Sequence, residues 1–181
     1  PAQFHSLPSP DALLVEASSV AGLTHVASPR PFDEFLRQRL LPRRLNGQGP
    51  ALAAADVNGD GMNDLFVTGA AGQSGRLFLA RSDGSFVPAP AQPWSESMES
   101  DDVGATFLDV NSDGHPDLFV AAGGVQHDEG STALHDRLYL NDGAGAFRLA
   151  PPGVLPADGT STTATAAADF ADTVVLALGC H

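Results

Sequence analysis

Asp56, Asn58, Asp60 and Asp64 put oxygen-bearing side chains at positions 1, 3, 5 and 9 of a short run with Gly61 at position 6. A tight loop with that spacing points alternate side chains inward, and glycine permits the sharp turn it needs. The pattern returns 53 residues later as Asp109, Asn111, Asp113 and Asp117, with Gly114 at position 6. The residue at position 7, Met62 or His115, would add only its backbone carbonyl. Three carboxylates and an amide aimed at one point, without Cys or a ligating imidazole, suit a hard cation. Calcium accepts six to eight oxygens in irregular geometry and fits better than zinc, or magnesium with its strict octahedron. Two Ca2+ sites are therefore expected, one per loop.

Without a cation, two such charges ~4 Å apart repel by about 1 kcal/mol in water and by about 4 kcal/mol at an effective dielectric near 20. An empty loop should loosen. For scale, an affinity of about 10 μM in about 1 mM calcium would add roughly 2.7 kcal/mol per site, against a total stability of about 5–15 kcal/mol. The competing reading is that Asp, Asn and Gly are ordinary turn residues. Two matches in one register, each followed by the same apolar run, weigh against it. A helix-loop-helix calcium hand shares the opening residues but needs an acidic residue at position 12. Here that position is Val67 or Val120, inside a β-rich run.

The elements that must hold these loops are repeated with them. Asp64-Leu65-Phe66-Val67 corresponds to Asp117-Leu118-Phe119-Val120, and Leu77-Phe78-Leu79 to Leu138-Tyr139-Leu140. Each is a short apolar run bounded by Gly, Asp or Asn, the punctuation of strands. Asp83-Gly84 and Asn141-Asp142-Gly143 read as hairpin turns. The second copy carries eight extra residues around Gln126 to Ala133, a longer loop. A third copy starts at Ala166-Ala167-Ala168-Asp169 and resumes at Val174-Val175-Leu176-Ala177-Leu178-Gly179, with the acidic loop cut out and its flanking strands kept. Units of 50 to 60 residues with about four strands suit propeller blades. The expected organisation is an N-terminal strand and helix segment over 1–50, a first repeat over 51–95, a second over 96–151, and an incomplete third over 152–181.

In the N-terminal segment, Phe32, Phe35, Leu36 and Leu40 share one face at helical spacing, with Pro31 before and Pro42 after, which predicts a short amphipathic helix over 31–41. Residues 12–15 and 23–26 are weaker strand candidates. Arg37, Arg39, Arg43 and Arg44 form the one basic cluster and read as a solvated or salt-bridging face. Trp94, between the first two copies, reads as an aromatic packed beside a connecting loop. His127-Asp128-Glu129 lies in the inserted loop and reads as polar loop, with a second metal or a partner as the alternative.

Composition narrows the function. The 181 residues carry 9 basic and 22 acidic side chains, a formal charge of −13, and every basic residue is Arg. Nucleic acid is not an expected partner. The longest apolar stretch is interrupted by Asp169 and Asp172, so no membrane insertion is expected. A start at Pro1 is what a processed or excised chain would show, and Cys180, the single cysteine, excludes an internal disulfide. No Gly-x-Ser-x-Gly elbow and no phosphate-cradling glycine loop is present, and the acids read as ligands, so the chain is not expected to be an enzyme.

These two loops and their following strands resemble the FG-GAP/VCBS repeats of calcium-binding β-propellers, the family that includes the integrin α-subunit head. More narrowly, Phe35-Leu36-Arg37-Gln38-Arg39-Leu40-Leu41-Pro42-Arg43-Arg44-Leu45, then Gly49-Pro50-Ala51-Leu52-Ala53 and Asp136-Arg137-Leu138-Tyr139-Leu140-Asn141-Asp142-Gly143, are similar to bacterial relatives of cartilage acidic protein that often carry an ASPIC/UnbV domain. The resemblance spans about residues 20 to 169. It implies a secreted or cell-surface module, typically seven-bladed, used for binding and adhesion, and it carries calcium ligation onto both acidic loops but not onto the third copy.

The sequence thus predicts an all-β protein, a partial propeller of about three repeats with a short N-terminal helix. Its expected role is calcium-stabilised extracellular binding, adhesion or scaffolding, toward an extracellular protein or glycan. The alternatives are a propeller domain attached to a hydrolase or lyase, and a surface filament subunit that self-associates through exposed blade edges.

Overall fold

The computed structural model describes residues 16–28, 30–37, 39–40, 50–156, 159–170 and 173–180. Its ten strands form three antiparallel sheets. The first is a meander of β1 (Leu52–Ala55), β2 (Asp64–Val67), β3 (Arg76–Ala80) and β4 (Phe86–Pro88), in that spatial order. The second repeats it with β5 (Asp101–Leu108), β6 (Asp117–Gly123), β7 (Arg137–Asn141) and β8 (Phe147–Leu149). The third is a hairpin of β9 (Thr162–Phe170) and β10 (Thr173–Cys180), paired down to Phe170 opposite Thr173, so the shortened third copy forms two strands.

The registers explain the equivalence of the first two sheets. Ala55 pairs with Asp64 and Leu108 with Asp117, so each acidic loop is the connection of its sheet's first hairpin. Because side chains alternate along a strand, Phe66 and its partner Leu77 share one face, while Leu65 and Phe78 share the other. The same holds for Phe119 with Leu138 and Leu118 with Tyr139. Every residue of β6 is buried, as befits a strand covered on both faces.

The main core lies between the first two sheets, where Val57, Phe66, Leu77, Leu118, Val120, Tyr139 and Phe147 close around Trp94. The Trp94 indole is only 3% exposed. It meets Phe66 and Tyr139 edge-on at 5.1 and 5.3 Å and lies tilted against Phe147 at 5.3 Å. A 3-10 turn, Pro93–Glu96, brings it there, so the connector between the sheets contributes the centre of their interface. A second cluster, with Phe119, Ala121 and Leu138 at its heart, covers the opposite face of the second sheet. The first strands lie side by side in sequence order: β5 packs against both β1 and β9.

Polar bonds tie these seams at the end of the sheets away from the acidic loops. The Thr68 hydroxyl accepts from Ala51 N (2.8 Å) and donates to the Asp102 carbonyl (3.0 Å). The Asp102 carboxylate, on β5, pairs with Arg137 on β7. The Thr162 hydroxyl donates to Asp136 Oδ2 at 3.0 Å, joining the third sheet to the second.

The N-terminal segment departs from expectation. In place of the amphipathic helix that the spacing over 31–41 predicts, the described residues hold one 3-10 turn, Glu34–Leu36, capped by Asp33. Glu34 is buried whereas Leu36 and Leu40 face solvent, because a single turn has no face at helical period to bury. Residues 23–26 form no ladder. Their contacts run through a side chain instead: Gln73 Nε2 donates to the Val26 carbonyl at 2.9 Å, and Gln73 Oε1 accepts from Ser28 N at 2.8 Å. The strand candidate over 12–15, and Arg43 and Arg44, lie outside the described residues.

Candidate metal loops

Each acidic loop folds around its own carboxylates. In the first, Asp56 Oδ1 accepts from Gly59 N (2.8 Å) and Asp60 N (3.1 Å), and Oδ2 accepts from Gly61 N (2.7 Å). Asn58 Oδ1 accepts from Asp60 N (3.0 Å), and Asp60 Oδ1 from Met62 N (2.9 Å). The Asn58 amide donates to Asp60 Oδ2 at 3.1 Å. The second loop repeats this: Asp109 takes Asp113 N (3.2 Å) and Gly114 N (2.8 Å), Asn111 takes Asp113 N (3.0 Å), and Asp113 takes His115 N (2.9 Å).

Tight curvature makes this possible. Gly61 and Gly114 have φ of +83° and +85°, a region that a Cβ disfavours. At position 4 the first loop has Gly59 at +75°, whereas the second forces Ser112 to +59°, the one non-glycine with positive φ among the described residues.

Position 9 differs in kind from positions 1, 3 and 5. Asp64 and Asp117 are fully buried. Asp64 accepts from Val57 N through Oδ2 (3.1 Å) and from Ala80 N through Oδ1 (2.8 Å), bracing the loop against β3. Asp117 does the same with Val110 N (3.1 Å) and Asn141 N (2.8 Å). Burial raises both carboxyl groups above the ordinary range; the charges of Asp60 and Asp56 raise Asp64 further, and those of Asp113 and Asp109 raise Asp117. Three acids in each loop therefore sense one another. Bonds from loop N–H groups, led by Gly61 for Asp56 and by His115 for Asp113, hold those two exposed carboxyls low and ionised.

The donor set fits a hard cation. All side-chain ligands are oxygens, the acids of each loop converge electrostatically, and among the described residues no Arg pairs with them. An ionised carboxylate has about four lone-pair positions, so the loop N–H bonds leave acceptor capacity. Among the described residues no three Asp, Glu, His or Cys side chains form a ready-made cage, since their oxygens are turned to loop N–H groups. Met62 is half-buried and His115 exposed, and the structure places both at position 7 as the sequence predicts.

Sequence reasoning missed the group between the loops. Asn141 ends β7 where the first sheet has Ala80. Its buried amide donates to the Val57 carbonyl of the first loop (2.9 Å) and the Pro116 carbonyl of the second (3.2 Å). Beyond it, the β7 to β8 turn is wedged between the loops: a Cβ on Gly143 would lie 2.5 Å from the His115 ring, and one on Gly145 would lie 3.6 Å from Asn58 Cβ. Gln92 anchors that turn, donating to the Gly145 carbonyl (3.0 Å) and accepting from Phe147 N (3.1 Å). The usable signal was the break in the repeat, Asn where its counterpart is Ala.

The inserted loop of the second copy forms a separate polar cleft of about 530 Å3 with Arg37, His127, Asp128 and Thr160 on its walls. Arg37 pairs with Asp128 and donates to the Val125 carbonyl at 2.8 Å, so one member of the basic cluster is a salt-bridging residue. His127 Nε2 lies 2.9 Å from the Glu99 carbonyl.

No curated protein matches this chain. Two overlapping stretches, 56–120 and 109–172, match the FG-GAP-like repeat, and each match begins at position 1 of an acidic loop. With matches reaching from the first acidic loop into the third sheet, the chain belongs to the FG-GAP-like repeat family.

Proposed function

We propose that the chain is a calcium-stabilised binding or adhesion module whose sheets are propeller-type blades, working outside the cell or on its surface. The observation that carries this reading is the pair of acidic loops, alike in hydrogen bonding, each closing the first hairpin of its sheet and each collecting carboxylates without a partner cation among the described residues. One Ca2+ would be held by Asp56, Asn58, Asp60, Asp64 and the Met62 carbonyl, and another by Asp109, Asn111, Asp113, Asp117 and the His115 carbonyl. The ion would supply the positive charge that the loops lack. Stability, not chemistry on a substrate, is what it changes.

The order of β1, β5 and β9 supports the blade reading, because the first strands of successive blades line a propeller's axis. The narrower kinship with bacterial cartilage-acidic-protein-like chains rests on the arginine-rich segment and the Asp136 to Gly143 run. The polar cleft beside the inserted loop is the surface we assign to a protein or glycan ligand.

Calorimetric titration with calcium tests the reading. Two equivalents are expected for the wild type and one each for Asp60→Ala and Asp113→Ala, with a lower melting temperature in chelator. At an affinity of about 10 μM in about 1 mM calcium, each filled site adds roughly 2.7 kcal/mol. An absence of heat and an unchanged melting temperature would exclude it. A second reading, self-association, is favoured by the third sheet: β10 has β9 on one side and no other strand among the described residues on the other. Sedimentation at rising concentration tests it, and a monomer throughout would rule it out.

A further inference from the structure

Asn141 joins what the repeats would otherwise keep apart. In the first sheet, Ala80 N braces Asp64; in the second, Asn141 N braces Asp117 in the same way. Only Asn141 adds a side chain that spans to the neighbouring loop, at the Val57 carbonyl, while also holding the Pro116 carbonyl. Its Oδ1 accepts from Gly143 N at 3.2 Å, so the turn between the loops is fixed by the same group. The side chain is 5% exposed, and water competes little for these bonds.

We propose that the two loops take up calcium as a coupled pair and that Asn141 is the coupling residue. This rests on the calcium reading above. Filling the first loop orders Asp56 and Asn58, the neighbours of Val57 on either side. A fixed Val57 carbonyl fixes the Asn141 amide, and Asn141 N then holds Asp117, the position-9 acid of the second loop. A second ion entering a loop already ordered loses less conformational freedom than the first, which gives positive cooperativity without a change of fold. Linkage requires the effect to be equal in both directions.

The amides of Gly61 and Gly114, each bonded to the position-1 carboxylate of its own loop, report the two loops separately in an NMR titration of the full chain with calcium. With the first loop disabled by Asp60→Ala, the Gly114 midpoint is expected to rise at least fivefold; with the second disabled by Asp113→Ala, the Gly61 midpoint rises by the same factor. In the Asn141→Ala background both effects fall below twofold. Should Asn141→Ala fail to fold, Asn141→Ser, too short to span both carbonyls, replaces it. Midpoints that stay within twofold in the single variants would overturn the coupling while leaving calcium binding intact. Coupling that persists without the Asn141 amide would remove Asn141 from the role. If neither amide responds to calcium in the wild type, the calcium reading itself fails, and the coupling with it.

Discussion

Within each loop, residues of one type do two jobs, and the hydrogen bonds separate them. Asp64 and Asp117 brace the loop and satisfy buried N–H groups. Asp64→Ala should therefore cost about 2–4 kcal/mol in denaturant unfolding even in chelator, because two buried donors lose their acceptor. Asp60→Ala should matter chiefly when calcium is present. Equal losses for both variants in chelator would contradict this division. Ser112 offers a second check: its left-handed backbone costs about 1–2 kcal/mol that glycine avoids, partly offset by the greater freedom of glycine in the unfolded chain. Ser112→Gly should raise stability by up to about 1 kcal/mol, whereas Gly114→Ala should lower it by about 1 kcal/mol or more, both read from urea midpoints. The spacing of the acids was legible in the sequence because a loop's geometry is local. The brace role of position 9 was not, since it depends on β3 and β7, strands that reach the loop only through sheet pairing.

At the level of elements, the strands and hairpin turns were legible because short apolar runs between Gly, Asp and Asn recur at matching intervals. Two features were hidden. Nothing local distinguishes a Trp in a connector that packs beside a loop from one that fills the gap between two sheets, and Trp94 does the latter. The apolar spacing over 31–41 favours a helix, but spacing alone supplies no surface to bury it against. Trp94→Ala should cost about 3–5 kcal/mol in thermal or denaturant unfolding, since an aromatic removed from between Phe66, Tyr139 and Phe147 leaves a cavity. A loss below about 1 kcal/mol would show that the two sheets do not depend on it.

Across the whole molecule, stability divides between a loop end rich in acids and a seam end that buries charge. At the seam, burial pushes the Asp102 carboxyl up to about 6, and the Arg137 guanidinium and the Gly69 N–H only partly oppose this. The folded protein thus holds that proton more tightly than the unfolded chain. Its contribution is fully present below the ordinary carboxylate range, about pH 4, and is lost as pH rises through about 6. Measured against Asp102→Asn, which cannot titrate, the wild type should lose up to about 3 kcal/mol of relative stability between about pH 4 and pH 7. A flat difference would mean that Asp102 titrates like an exposed acid.

The Asn141 bridge also gives the array a direction. Copies that align residue for residue look exchangeable, yet the second one reaches back with an amide for which the first has only a methyl group. A chain in which two first-type units follow each other would leave the Val57 carbonyl without its donor, and one in which the order is reversed would leave an amide with nothing to grasp. The units are alike in plan, but divergence at one position has made them successive rather than interchangeable, so shuffled or concatenated arrays must keep the native order to keep this junction.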